Sequence, residues 1–240
     1  MPVRVTIHQP EHLPWLGFLA KAASADCFIL LDTVPYRHHY FQNRNRVLAN
    51  GAPVWLTVPV KHRGHLQTAI AEMEIDNSRP WKRKYIGRLE DAYRRAPQGD
   101  EVIPPLRRLI ERAESRLLDL NLAIMGWLFG IFAITTRTIL ASELPRRGTR
   151  SELLASLADA VGASTYLSGP SGREYLDRSA FVGSGIAVEF YDFAHPSYPQ
   201  GPTREFVPNL SAIDLIAHRG TEGSREVLAS AVSASSLSRE

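Results

Sequence analysis

Two short apolar runs separated by one helical stretch constrain how this chain can begin to fold. Residues 3–7 read VRVTI and residues 27–32 read CFILLD. Both have strand length, and both are rich in β-branched or large apolar side chains. Between them, LGFLAKAASAD (16–26) brings Leu16, Leu19, Ala20 and Ala23 near helical spacing. Strand, helix and strand in so short a span make a βαβ unit. Such a unit favours a parallel sheet, because parallel neighbours need a crossover.

The rest of the chain predicts an α/β protein with a parallel or mixed sheet. The N-terminal βαβ unit and C-terminal strands supply the sheet, and the middle of the chain is helical. VWLTVPV (54–60) is β-rich, with Pro59 suited to an edge or a strand end. From residue 79, RPWKRKYIGRLEDAYRRA puts Pro80 at a helix start and Trp81, Tyr85, Leu89 and Tyr93 on one stripe. Pro104 and Pro105 suggest the start of the next helix. The apolar stretch Leu122 to Ile134 falls short of the roughly 18 residues a membrane span needs, and it reads as a buried helix. Thr149 and Glu152 form a capping-box pattern, and Gly162 suits a C-cap. STYLSG and IAVEFYDF (186–193) return to strands, and LSAIDLIAH (210–218) reads as a final short helix. The predicted organisation is one α/β domain over 1–221, with a helical insertion at about 80–162. Residues 222–240 read as a loose terminal helix or disorder.

With 240 residues, 44% of them hydrophobic, the chain can bury a core without staples. Its single cysteine, Cys27, excludes a disulfide framework and any zinc site built on two thiolates. It starts an apolar strand and reads as core. A net charge of +3 permits an anionic ligand but does not indicate nucleic acid. The first residues, MPVRVTIHQP, lack the features of a signal peptide, and the expected location is cytoplasmic.

Four stretches carry residues able to do chemistry. The first is His8-Gln9-Pro10-Glu11-His12-Leu13-Pro14-Trp15-Leu16-Gly17, directly after the first strand. Ligands in open α/β sheets sit beyond the carboxyl ends of strands, and His8 titrates near neutrality. The plainer reading is that His8 and Gln9 only satisfy the turn. A metal is not expected: His8 and His12, or His62 and His65, have ligand-like spacing, but Pro10 and Pro14 break any shared helix and no third ligand is evident. The second stretch is DTVPYRHHYFQNRNR (32–46). Its Asp32, Arg37, Gln42, Asn43, Arg44 and Asn45 can recognise phosphate or carboxylate and fix orientation, while Tyr36, Tyr40 and Phe41 offer rings. The third, Trp55 to Lys61, reads mainly as core, although Thr57 and Lys61 could point to a site. The fourth surrounds His195, a second candidate acid–base group beyond a strand, with Tyr198 and Gln200 nearby. Ser211 and Asp214 have capping-box spacing. In Ser168-Gly169-Pro170-Ser171-Gly172-Arg173, the backbone and Arg173 could hold an anion. There is no G-x-S-x-G, Walker A or G-x-G-x-x-G pattern.

In chain order, HQPEHLPWLGFLAKAASADCFILLD, YFQNRNRV, VWLTVPV, SGREYLD, HPSYPQ and FVPNLSAIDLI resemble the WbqC-like family across nearly the whole chain. The resemblance implies a bacterial protein of O-antigen or other specialised biosynthetic clusters. It also implies glycine or aminoacyl transfer, typically onto an amino sugar. It carries over onto His8, Gln9, Pro10, Pro14, Trp15, Gly17, Lys21, Asp26, Asp32, Gln42, Asn43, Arg44, Asn45, Pro59, His195, Tyr198, Gln200 and Asp214. The chain departs from the family pattern at Glu11-His12 and at Val34-Pro35-Tyr36, where Pro35 replaces a glutamine and removes two hydrogen-bonding groups.

The expected activity is therefore acyl or aminoacyl transfer to the amino group of a small molecule. His8 is the expected base and His195 the alternative. The expected substrate-binding residues are Gln9, Trp15, Lys21, Asp32, Arg37, Gln42, Asn43, Arg44, Asn45, Arg173, Tyr198 and Gln200. An acyl thioester, carried on coenzyme A or a carrier protein, or ATP with magnesium would supply activation. Two alternatives stand beside this one: an adenylate-forming enzyme, for which Asp32 would hold the metal, and a non-catalytic binding module.

Overall fold

The computed structural model describes residues 3–61, 67–201 and 205–238. His62 and His65 lie outside them.

The βαβ unit forms as its sequence predicts. Strand β1 (Arg4–His8) leads through a proline-rich turn to helix α1 (Leu16–Ala23) and strand β2 (Cys27–Leu30). β1 and β2 pair in parallel, from Val5↔Cys27 to His8↔Leu30. A hairpin follows, β3 (Arg44–Ala49) and β4 (Ala52–Thr57). Asn50 and Gly51 link its strands, with φ of 51° and 75°. Both values are left-handed, as a two-residue type I′ turn requires, and Asn-Gly is its strongest sequence signal. The hairpin stays apart from the main sheet. The segment read as a ligand loop up to Arg46 thus ends inside a strand.

Helices α2 (Trp81–Tyr93), α3 (Gly99–Arg112) and α4 (Leu117–Ile131) come next. The Trp81, Tyr85, Leu89 and Tyr93 stripe is buried as predicted. α3 begins at Gly99, and Pro104 and Pro105 lie inside it rather than at its start. A Cβ on Gly99 would meet the Tyr93 carbonyl oxygen at 2.2 Å, so glycine permits this tight helix-to-helix turn. The middle region is also less helical than its sequence suggests. Strand β5 (Arg137–Leu140) pairs in parallel with β2 and returns the chain to the sheet.

Helix α5 (Arg150–Ala160) starts where the Thr149 pattern places it, but the threonine side chain makes no cap bond. Gly162, with φ of 68°, ends the turn after it. Strand β6 (Thr165–Ser168), the one-turn helices α6 (Gly172–Tyr175) and α7 (Ser179–Val182), and strand β7 (Ala187–Asp192) follow. Helix α8 (Ile213–Ala234) is broken at Gly220, whose φ is 67° and ψ −179°. The Glu101 carboxylate receives the Thr221 N–H at this break. The segment from 222 is the second half of α8, the helical one of the two alternatives, followed by strand β8 (Ser236–Ser238).

The sheet order is β5-β2-β1-β6-β7-β8, parallel except for β8. One face of β2 and β6 sends Phe28, Leu30 and Leu167 into a core shared with α1–α4, α8 and the hairpin. The other face sends Val5, Ile7, Cys27, Ile29 and Tyr166 into a smaller core with α5 and α7. Cys27 is buried there, as a core residue should be. No helix among the described residues is long and apolar enough to cross a membrane.

Candidate functional site

In the five parallel strands, the first and fourth in chain order, β1 and β6, lie side by side at the centre. Successive connections leave from this point in opposite directions, which makes it the switch point where open α/β sheets place their ligands. The ladders show where it opens. β1 stays paired with β2 through His8, and the Leu31 N–H donates to the His8 carbonyl at 2.8 Å. Its pairing with β6 stops at Thr6↔Leu167. Beyond Thr6 no ladder pairing joins the two strands, and the switch-point position that open α/β sheets use as a ligand crevice lies between His8 on one side and Ser168 and Gly169 on the other.

Three titratable side chains gather at the β1 side of this crevice. His8 packs edge-on against Phe18, with ring centroids 5.0 Å apart. Its Nδ1 donates to the Gln9 carbonyl at 3.0 Å, which leaves Nε2 as the free acceptor. The same Nδ1 lies 3.8 Å from Glu11 Oε1. Glu11 is 6% exposed, and its Oε2 is buried with no hydrogen-bond partner among the described residues. Lys21 is also 6% exposed, although it is a lysine on a helix. Helical side chains lean toward the helix N-terminus, so Lys21 reaches back up α1 toward the carboxyl end of β1. There it acts electrostatically on both Glu11 and His8.

Burial dominates the protonation of all three groups. It lifts the Glu11 carboxyl to about 8 against the opposing pull of Lys21. It lowers the Lys21 ammonium to about 8 despite Glu11. Burial and then Lys21 bring the His8 imidazole down to about 3, with the Gln9 carbonyl working the other way. A ring this hard to protonate is a poor proton acceptor at neutral pH. Glu11 and Lys21 titrate in the useful range, and neither was expected from sequence to carry the chemistry.

The expected amide ligands hold the architecture around the crevice. Gln42 Nε2 donates to Gln9 Oε1 at 2.7 Å, and Gln42 Oε1 accepts from the Arg37 N–H at 2.8 Å. Asn121 Nδ2 donates to the Gln42 carbonyl at 2.8 Å, and its Oδ1 lies 3.0 Å from His12 Nδ1. His12 Nε2 meets the Tyr85 hydroxyl at 2.7 Å. His12 is thus a fully buried core histidine, which burial lowers to about 4. Asn43 Nδ2 donates to the Val58 carbonyl at 2.8 Å, and Asn45 Nδ2 to the Leu13 carbonyl at 2.7 Å. Both Asp32 oxygens are engaged by Ser142, through its N–H at 2.9 Å and its hydroxyl at 2.6 Å.

The cationic candidates divide. Arg44 lies over the Trp55 ring at 4.2 Å and donates to the His39 carbonyl. Exposed Arg37 lies over Tyr40 at 5.0 Å. Arg173 forms a two-pronged bond to Asp192, at 2.8 and 2.7 Å, and donates to the Ser238 hydroxyl, fastening β8 to the sheet. Tyr40 and Tyr175, 38% and 65% exposed, come near each other from the loop after β2 and from α6. They stand at the rim of the crevice.

His195 forms a separate assembly. Its Nδ1 donates to the Pro196 carbonyl at 2.9 Å and its Nε2 accepts the Asn209 N–H at 3.2 Å, so both ring nitrogens are occupied by backbone. Trp15 stacks on it, with centroids 6.2 Å apart. No hydrogen bond or ring contact joins His195 to His8 among the described residues. Tyr198 and Gln200 both reach Asp214 Oδ2 at 3.2 Å, while Tyr93 donates to Oδ1 at 3.0 Å. The Asp214 carboxylate is therefore the centre of a buried clamp. This differs from the capping role suggested by its spacing from Ser211, because the side chain turns inward. Among the described residues, no three His, Cys, Asp or Glu side chains come together as a metal-binding group. Two surface hollows, one lined by α2 and α3 and one by α5 and α7, share no residue with the crevice.

Residues 9–226 match the WbqC-like protein family. The chain belongs to that family. An uncharacterised protein of Mycobacterium tuberculosis, Rv1507c, is 30% identical over 221 residues, covering 91% of this chain and 95% of that protein. No solved structure matches the chain. The family match begins one residue after His8 and covers Glu11, Lys21 and Tyr175, so this WbqC-like chain carries all of its candidate site except His8 within the matched residues. Glu11 is the residue that sequence reasoning passed over. A buried carboxyl cannot be told from a solvated turn acid by its neighbours in sequence, although its departure from the family pattern was a signal.

Proposed function

We propose that this WbqC-like protein transfers an acyl or aminoacyl group to an amino group of a small molecule, with an amino sugar as the acceptor class. The observation that carries the reading is the buried pair Glu11 and Lys21 at the mouth of the β1–β6 crevice, with Glu11 Oε2 unpartnered. Transfer to an amine needs a proton acceptor for the attacking nitrogen and a positive group for the developing oxyanion. The ionised Glu11 carboxylate takes the proton as the amine nitrogen bonds to the acyl carbon. The Lys21 ammonium faces the oxyanion, then protonates the departing thiolate. An acyl thioester and an amine thus become an amide and a thiol, and Glu11 returns the proton to Lys21. His8 Nε2, neutral and free, orients the acceptor.

The test is mass spectrometry of products from wild type with acetyl-coenzyme A or a glycyl thioester and a panel of amino sugars. Wild type forms an N-acylated sugar, and Glu11→Gln loses at least about 100-fold of the rate. Loss of product formation from every donor, or an active Glu11→Gln, defeats the proposal. The sheet order supports a second reading, ATP-dependent adenylate formation, because such doubly wound sheets bind nucleotides. Substrate-dependent exchange of pyrophosphate into ATP distinguishes it. The expected magnesium ligand, Asp32, lends that reading little support, since Ser142 occupies both its oxygens.

A further inference from the structure

Of the 28 Lys and Arg residues in this chain, only Lys21, Lys61, Lys82 and Lys84 are lysines. Three of them are conventional. Lys61 pairs with Glu74, Lys82 donates to the carbonyls of Glu111 and Ala113, and Lys84 is exposed. Lys21 is the exception. It is 6% exposed, and among the described residues its ammonium makes no hydrogen bond and no ion pair. A lysine this buried and without a partner is costly in its charged form, and a guanidinium in its place could not shed its charge. The neighbouring Glu11 oxygen is also buried and unpartnered. One buried unsatisfied carboxyl oxygen beside a lysine that has no hydrogen-bond or ion-pair partner among the described residues, at the carboxyl end of a sheet's switch point, leaves a place for a reacting molecule to complete them.

We infer that Lys21 is a covalent site for small aldehydes and oxo acids, forming an imine through its side-chain nitrogen with Glu11 as the proton carrier. The neutral amine bonds to the carbonyl carbon, and the C=O electron pair moves to oxygen. Glu11 carries the proton from nitrogen to that oxygen, giving a carbinolamine. Glu11 then takes the remaining proton from nitrogen and passes it to the departing hydroxyl, so that water leaves as the nitrogen electron pair forms the C=N bond. The balance is one carbonyl compound plus one amine to one imine plus one water, with no oxidant or reductant. Lowering of Lys21 to about 8 leaves a sizeable fraction of free amine near neutrality, where an ordinary lysine holds about one part in a thousand. Glu11 is the charged group acting on it, and Lys21 in turn acts on His8. The inference does not depend on acyl transfer: a protein that traps a carbonyl at Lys21 yet transfers no acyl group keeps this inference and loses that one.

The experiment uses the full chain with glyoxylate and sodium cyanoborohydride, which reduces an imine to a stable amine. Intact mass and peptide mapping then locate the added carboxymethyl groups. Lys21 is expected to be modified at least about tenfold faster than Lys84. Glu11→Gln should slow Lys21 labelling while leaving Lys84 unchanged. Lys21→Arg should abolish the fast phase. Labelling of Lys21 at or below the rate of Lys84 in folded wild type overturns the inference. So does a fast phase that maps to Lys61, Lys82 or the N-terminus. Because the mapping is made on wild type, the result stands even if a variant fails to fold.

Discussion

The Tyr85 hydroxyl and His12 Nε2 meet at 2.7 Å in the interior, and this contact anchors a chain of hydrogen bonds that runs through Asn121 and Gln42 to Gln9. Its members come from four parts of the sequence: the turn after β1, the loop after β2, α2 and α4. Tyr85→Phe leaves His12 Nε2 buried without a donor, at an expected cost of about 1–3 kcal/mol. Urea unfolding should show the loss as a lower midpoint at unchanged slope. Substrate affinity should change little, because the hydroxyl touches only His12. An unaltered midpoint would remove the network from any account of stability.

Glu11 and Lys21 should destabilise the protein they serve. Each is held in its less comfortable state by burial, so Glu11→Gln and Lys21→Met should each raise stability or leave it unchanged while abolishing turnover. The gain should be about 1–3 kcal/mol, read as a higher melting temperature. A clear drop in melting temperature for both variants would instead make the pair a structural ion pair.

Stability against pH separates these groups by sign. The Glu11 carboxyl is raised from 4.5 to about 8, so between those values the folded chain holds a proton that the unfolded chain has lost. Its contribution falls as pH rises toward 8. Lys21 is lowered from 10.5 to about 8, so its contribution rises between pH 8 and 10.5. His8 and His12, lowered from 6.5 to about 3 and about 4, add stability that is lost as pH falls through that range. One proton of difference gives a slope of about 1.4 kcal/mol per pH unit. Chemical unfolding of wild type and Glu11→Gln from pH 5 to 8 should differ by a slope of that sign and order.

Turnover should follow a narrow bell with its maximum near pH 8. Glu11 must have lost its proton and Lys21 must have kept one, and both groups titrate at about 8. The two limbs belong to the pair rather than to either residue. Lys21→Arg, whose cation cannot titrate in this range, should flatten the alkaline limb if any activity remains. A profile with an acid limb near 6.5 would return the role of base to a histidine.

Arg173 should matter to the sheet edge and not to ligand binding. Arg173→Gln cuts the ties to Asp192 and Ser238, and amide exchange at residues 236–238 should accelerate about fivefold or more, the equivalent of about 1 kcal/mol. A weakened affinity for an anionic substrate, with exchange unchanged, would restore the anion-holding role suggested by its loop.

Much of the frame was legible in the sequence because its periodicities are local. VRVTI, LGFLAKAASAD and CFILLD each satisfy one period, and Trp81, Tyr85, Leu89 and Tyr93 repeat at four. The Asn50-Gly51 turn was equally legible yet overlooked, because the adjacent run of Arg and Asn read as a binding loop. β5 was hidden by its length and by the helices on either side. The site residues were harder for a different reason. Gln42, Asn43 and Asn45 carry the same chemistry whether they bind a ligand or a distant carbonyl, and only the fold decides. His195 looks like a base until both its nitrogens are found in use.

The turn between His8 and Gly17 is held from several directions. The His12 N–H reaches the Phe41 carbonyl, Asn45 reaches Leu13, and the Ala212 N–H reaches the Pro14 carbonyl. Rotamers and backbone in such a turn are ordered before any ligand arrives, so binding there spends little conformational entropy. The floor of the crevice therefore behaves as a rigid template. Adaptation to one acceptor over another falls to the rim, where Tyr40 and Tyr175 are exposed.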